Sequence, residues 1–173
     1  MFTEVKIVRK LSVEAGVRGV TSLAGEIYVL TNDYQIEAYD VITYQIQRCL
    51  TVPGASSLWD MTSCEKHICL YFADSIGKCI DKFSVRSDLF TRWDVHDQPF
   101  GLSVNSAHNV LVTCRTVCKI KEFSSDGDLL RELTLPDDVT HPYHAIQIPS
   151  REYIVCFGGP SDAVRAVLCK ILS

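Results

Sequence analysis

Apolar and polar residues alternate with a period of two along almost the whole chain. The runs "GEIYVLT" (25–31), "QIEAYDV" (35–41), "KHICLYF" (66–72), "CIDKFSV" (79–85), "NVLVTC" (109–114), "KIKEFS" (119–124) and "EYIVCF" (152–157) all show it. They are rich in Val, Ile, Tyr and Phe, and Gly, Asp, Asn, Ser or Pro interrupts them. That is the signature of short strands joined by turns. No stretch sustains a helical period between capping residues. The pattern predicts an all-β protein.

The strands recur in a fixed order. The run after each polar turn begins at Ile27, Ile68, Val110 and Tyr153, and the preceding run carries Val20, Met61, Leu102 and Ile146. Either series advances by 41 to 44 residues per step. Four strands in about 42 residues is the length of a β-propeller blade. Blades are expected at 16–53, 54–97, 98–139 and 140–173 of one domain. The stretch "FADSIGKCIDKF" (72–83) then reads as the second strand, turn and third strand of a blade, and "TCRTVCKIKEF" (113–123) as its successor. In the first turn Asp74 and Ser75 are expected to bond their own backbone and Gly77 to adopt a positive φ. A calcium or phosphate loop is the competing reading, but it has too few ligands.

Composition narrows the class. The 173 residues are 47% hydrophobic and 22% charged, which suits a folded domain. The net charge of −4 gives no electrostatic reason to expect nucleic acid or an anionic membrane. No apolar run approaches a membrane span, and the first residues lack the apolar core of a signal peptide. Eight cysteines lie mostly inside alternating apolar runs, with no Cys-x-x-Cys pair. They are expected to be free core thiols, with disulfides and metal ligation as alternatives, and they favour a reducing, cytoplasmic setting.

The string "YFADSIGKCIDKFSV" (71–85) resembles the core of an NHL repeat, and "KIKEFSSDGDLLREL" (119–133) resembles the part that follows it. From about residue 16 to 170 the chain is similar to NHL-like propeller proteins of marine invertebrates. The resemblance implies a propeller. It leaves function open, because such propellers serve ligases, RNA-binding repressors, lyases and scaffolds. Propellers of that family usually carry about six blades, so the chain is expected to be either a four-bladed ring or part of a larger one.

Candidate chemistry is sparse. His141 and His144 are the best metal suspects, since strand one of each blade lines the channel. By the repeat, Arg18, Trp59 and Phe100 are the counterparts of His144, and none of these is a good ligand. Asp60 is the one obvious addition. A calcium-centred lactonase or esterase would draw on Asp60 and Asn105 but lacks the remaining carboxylates. No local context singles out a Cys–His nucleophile pair. Lys119, Lys121 and Arg131 could form a basic face for RNA, yet Glu122 and Glu132 interrupt them. No zinc module of a ubiquitin ligase is present. The expected function is therefore a protein-interaction scaffold without cofactor or metal. Its binding surface is expected around Trp59, Asp60, Phe100 and His144, with aromatic anchors. The competing expectation is that the two aromatics pack between blades.

The chain ends carry one further expectation. Residues 4–13 match the outer-strand pattern, while the last unit runs out at a third strand near 163–171. Pairing of these two segments would close the ring and hide two open sheet edges.

Overall fold

The strands at 69–74 and 110–114 are buried on both faces, and this sets the architecture. In the computed structural model, residues 13, 16–32, 34–150, 152–158 and 164–170 are described. They form four antiparallel sheets, each a meander in chain order. The first holds β1 (Val17–Leu23), β2 (Glu26–Thr31), β3 (Gln35–Asp40) and β4 (Ile46–Thr51). The second holds β5 (Leu58–Cys64), β6 (Cys69–Asp74), β7 (Cys79–Ser84) and β8 (Leu89–Asp94). The third holds β9 (Pro99–Val104), β10 (Val110–Cys114), β11 (Lys119–Phe123) and β12 (Leu129–Thr134). The last holds β13 (Pro142–Gln147), β14 (Tyr153–Gly158) and β15 (Val164–Cys169). This is the expected all-β, four-bladed propeller. Among the described residues there is no helix, and so none long and apolar enough to cross a membrane.

The alternation in the sequence separates the two faces of each blade. Strand β6 is buried throughout. Its Leu70 and Phe72 join a cluster with Leu23, Tyr28, Leu30 and Ile36 of blade one. Its Cys69, Tyr71 and Ala73 face the other way, into a cluster with Leu102, Val110 and Val112 of blade three. A third cluster joins Leu111 and Ile120 to Ala145, Tyr153 and Val155 of blade four. Each apolar layer therefore belongs to two blades, and no blade has a core of its own. Outer strands such as β12 face solvent.

Polar bonds stitch the inner strands at the spacing of the repeat. Thr21 Oγ1 and Ser63 Oγ lie 2.7 Å apart, and Ser103 Oγ donates to the Ala145 carbonyl at 2.6 Å, in both cases between residues 42 apart in sequence. Among the described residues no hydrogen bond joins β13 to β1. The expected closing strand at 4–13 lies almost wholly outside the described residues, and β15 is the last strand described in blade four.

The 72–83 turn departs from expectation in one respect. Gly77 does not take the positive φ; Lys78 does, at 53°, and Cys118 at the same place in the next blade has 51°. Gly77 is needed for space instead. A Cβ there would sit 2.7 Å from Asp74 Oδ2 and 3.1 Å from Cys79 Sγ. Asp74 also reaches beyond its own turn. Its carboxylate accepts from Gly77 N, but equally from Ser56 N and Ser57 N in the loop entering the blade.

Candidate binding site at the channel mouth

All four inner strands break register at one and the same place. The pairing skips a residue between Val17 and Gly19 in β1, between Leu58 and Asp60 in β5, and between Pro142 and His144 in β13. In β9 it jumps from Gly101 to Pro99. The skipped residues are Arg18, Trp59, Phe100 and Tyr143. A bulge leaves its extra residue out of the ladder and re-aims the side chain. Here it turns four side chains toward one end of the channel.

Those side chains form a continuous stack. The Trp59 and Phe100 rings lie 4.6 Å apart at 28°, and Phe100 meets Tyr143 edge-on at 5.5 Å. The Arg18 guanidinium carbon sits 4.7 Å from the Trp59 ring centre and 5.4 Å from that of Tyr34. Arg115, from the turn between β10 and β11, lies 5.1 Å from Phe100 and 4.8 Å from Tyr143. Guanidinium over an aromatic face is attractive through the ring quadrupole. Trp59 remains 40% exposed. Beside the stack is a pocket of about 400 Å³, lined by Trp59, Phe100, Arg115, Thr116, Gln98 and His141 among others.

One residue further along, the strands present Gly19, Asp60, Gly101 and His144. Gly101 is there because blades three and four touch: a Cβ would lie 2.1 Å from the Tyr143 carbonyl oxygen. With no side chain in the way, Asp60 and His144 meet across it. Asp60 Oδ2 accepts from Leu102 N at 2.8 Å and lies 3.4 Å from His144 Nδ1.

The four residues expected at the surface are thus brought to one end, on two adjacent tiers. Trp59 and Phe100 belong to the stack, Asp60 and His144 to the tier beneath. The counterpart of Arg18, Trp59 and Phe100 is Tyr143, and His144 is the counterpart of Asp60. The signal for this was present in "QPFG" (98–101) and "HPYH" (141–144), which align on proline. Both prolines begin their strands, where the missing N–H is tolerated. Arg115 and Tyr34 had no such signal, because they arrive from turns.

The rival chemistries lack their parts. Asn105, the suggested second calcium ligand, is engaged elsewhere: its amide donates to Glu122 and Gln147, and its oxygen accepts from Ala107 N and Asn109 N. The one cluster of metal-type ligands among the described residues is Asp74, Cys79 and Asp81. There Asp74 is occupied by three backbone N–H groups, and Asp81 is held by Arg92 through Nε at 2.8 Å and Nη2 at 3.1 Å. All eight cysteines are free thiols. Burial pushes Cys79 up to about 11 and Cys114 up to about 12, and it raises Cys69 and Cys169 as well. A nucleophilic thiol needs the opposite shift. The suggested basic face is neutralised: Lys119 and Lys121 both pair with Glu132, Lys121 also with Asp97, and Arg131 with Glu122.

No protein-family model matches the chain, and no curated protein sequence does. Solved structures do match. A streptogramin B lyase is 15% identical with a TM-score of 0.69, over 90% of this chain and 56% of its own. The WD40 repeats of RRP9 are 12% identical with a TM-score of 0.72, over 90% of this chain and 52% of theirs. The computationally designed Ika4 protein is 12% identical with a TM-score of 0.67, over 92% of this chain and 94% of its own. These likenesses concern the fold. The chain spans little more than half the length of the two natural proteins.

Proposed function

We propose that this chain is a non-enzymatic protein-interaction scaffold built on NHL-like propeller repeats. Its binding surface is the channel end that carries Trp59, Asp60, Phe100 and His144. The observation that carries this reading is the fourfold bulge. Four strands independently lift Arg18, Trp59, Phe100 and Tyr143 out of their ladders to one end, and they leave Trp59 exposed over a pocket. A core needs no such device, and exposed aromatics beside arginine are the residues that dominate protein interfaces. The "YFADSIGKCIDKFSV" string supports the NHL-like assignment, and the unpaired thiols support a cytoplasmic setting.

A propeller hydrolase with a central metal is the second reading, and the contact between Asp60 and His144 is what favours it. Its weakness is ligand supply: among the described residues no third carboxylate, imidazole or thiolate joins the two. The test pairs elemental analysis of the purified protein with a lactone and ester hydrolysis screen. No stoichiometric metal and no turnover is the expected result. Turnover abolished by Asp60→Ala or His144→Ala overturns the scaffold reading.

A further inference from the structure

We infer that this end of the propeller binds an acidic segment of a partner protein, with Arg18 and Arg115 each taking a carboxylate. The inference rests on the scaffold reading and adds the chemistry of the partner.

Most of the basic side chains near the core are already paired. Arg48 holds Glu26 and Asp88, Lys82 holds Asp126, Arg92 holds Asp81, and Lys119 and Lys121 share Glu132. Arg18 and Arg115 differ. Both are partly buried at the same end, and among the described residues neither has a carboxylate within ion-pair distance. Their positions are nevertheless fixed. Arg18 donates through Nε to Asn32 Oδ1 and through Nη1 to the Leu58 carbonyl, both at 3.1 Å, and among the described residues its Nη2 has no acceptor. Arg115 donates weakly through Nη2 to Tyr143 Oη at 3.4 Å. Its Nε is buried and has no acceptor. That atom is closed to an incoming group, so Arg115 offers the Nη edge of its guanidinium, for which a carboxylate is the strongest acceptor. Stacking on the rings pre-orients both guanidiniums, so little side-chain freedom is lost on binding.

The stack also argues for peptide over nucleic acid. Bases bind aromatic side chains through open ring faces. Here Trp59 lies between Arg18 and Phe100, and Phe100 lies between Trp59 and Arg115. Ring edges and guanidinium N–H groups remain to be offered. Two rings separate the two cations, which stand up to about 14 Å apart along the stack. That suits acidic side chains four residues apart, with an apolar one midway on the same face, in an extended segment that advances about 3.3 Å per residue.

The experiment is calorimetric titration of the full chain with the blocked peptide Gly-Glu-Ser-Phe-Ser-Glu-Gly, its Glu→Gln counterpart and a short oligouridylate. Saturable binding of the first below about 1 mM is expected. The Gln peptide should bind at least about tenfold more weakly, and Arg18→Gln and Arg115→Gln should each cost at least about tenfold against the Glu peptide. The affinity should fall as salt rises past about 0.1 M. Comparing the two peptides on the wild-type chain needs no variant to fold. No saturable binding of the Glu peptide overturns the inference, and so does oligouridylate binding lost with the two arginines. Equal binding of both peptides, abolished by Trp59→Ala, also overturns it but leaves the scaffold reading standing.

Discussion

Gly101 and Tyr143 touch backbone to backbone across the boundary between blades three and four, where a single added Cβ would come within 2.1 Å of the Tyr143 carbonyl oxygen. The contact lets Phe100 and Tyr143 sit 5.5 Å apart, and it clears the space in which Asp60 reaches His144. Gly101→Ala is therefore expected to destabilise the fold by about 2–3 kcal/mol, because the clash is with main chain and not with a mobile side-chain end. Gly25→Ala is the control. Nothing lies within 4 Å of its added Cβ, and only its φ of 83° opposes the change, at about 1 kcal/mol. Urea unfolding of the two variants measures the difference.

Asp74 fastens the loop into blade two to the turn between β6 and β7. It is fully buried and accepts from three backbone N–H groups, of Ser56, Ser57 and Gly77. Asp74→Ala leaves these donors unmet and is expected to cost about 3 kcal/mol or more. Asp74→Asn keeps one oxygen for Ser57 and Gly77 and should lose less. A lower urea midpoint at constant slope would identify the effect as stability alone.

Glu132 gives the fold an acid-sensitive limb. The hydrogen bond from Lys119 Nζ at 2.5 Å holds its carboxyl below the ordinary value of 4.5, against the opposing pull of partial burial, and Lys121 adds to the lowering. The unfolded chain therefore takes up this proton at a higher pH than the native one. Its contribution is complete above the ordinary glutamate range and disappears as pH falls through the lowered native value. Glu132→Gln should flatten the fall in stability as pH drops below the ordinary glutamate value of 4.5. An unchanged acid limb in that variant would contradict the assignment.

The sequence carried the blades but not the stack, and the reason is geometric. Strands such as β6 and β10 announce themselves because every position meets an apolar layer on one face or the other. A period of about 42 residues survives because each layer is shared by two successive repeats. A link of uneven length defeats this kind of counting. The segment between β12 and β13 (135–141) is longer than that between β8 and β9 (95–98), so the step from Phe100 to its true counterpart Tyr143 differs from the step between Arg18 and Trp59. His144 was consequently placed in the wrong tier. The free thiols and the apolar layers needed only composition and alternation. Arg115 and the pairing of Lys119 and Lys121 with Glu132 depended on which turns and strands become neighbours, and the one-dimensional pattern does not encode that. Gly77 showed the same limit: its presence was legible, but its reason is the crowding by Asp74 and Cys79, not the turn dihedral.

The central claim, that the end bearing the bulged residues is the surface that meets a partner, is tested most directly by site-specific photo-crosslinking. A photoreactive residue replaces Thr116 at the pocket rim in one variant and Leu130 on the exposed outer strand β12 in another. Each variant is irradiated in cells. The protein captured is then identified and rebound to the purified chain. The account predicts one partner captured from position 116 and not from 130, whose rebinding is lost with Trp59→Ala. Capture from position 130 alone, or rebinding indifferent to Trp59→Ala, would contradict it.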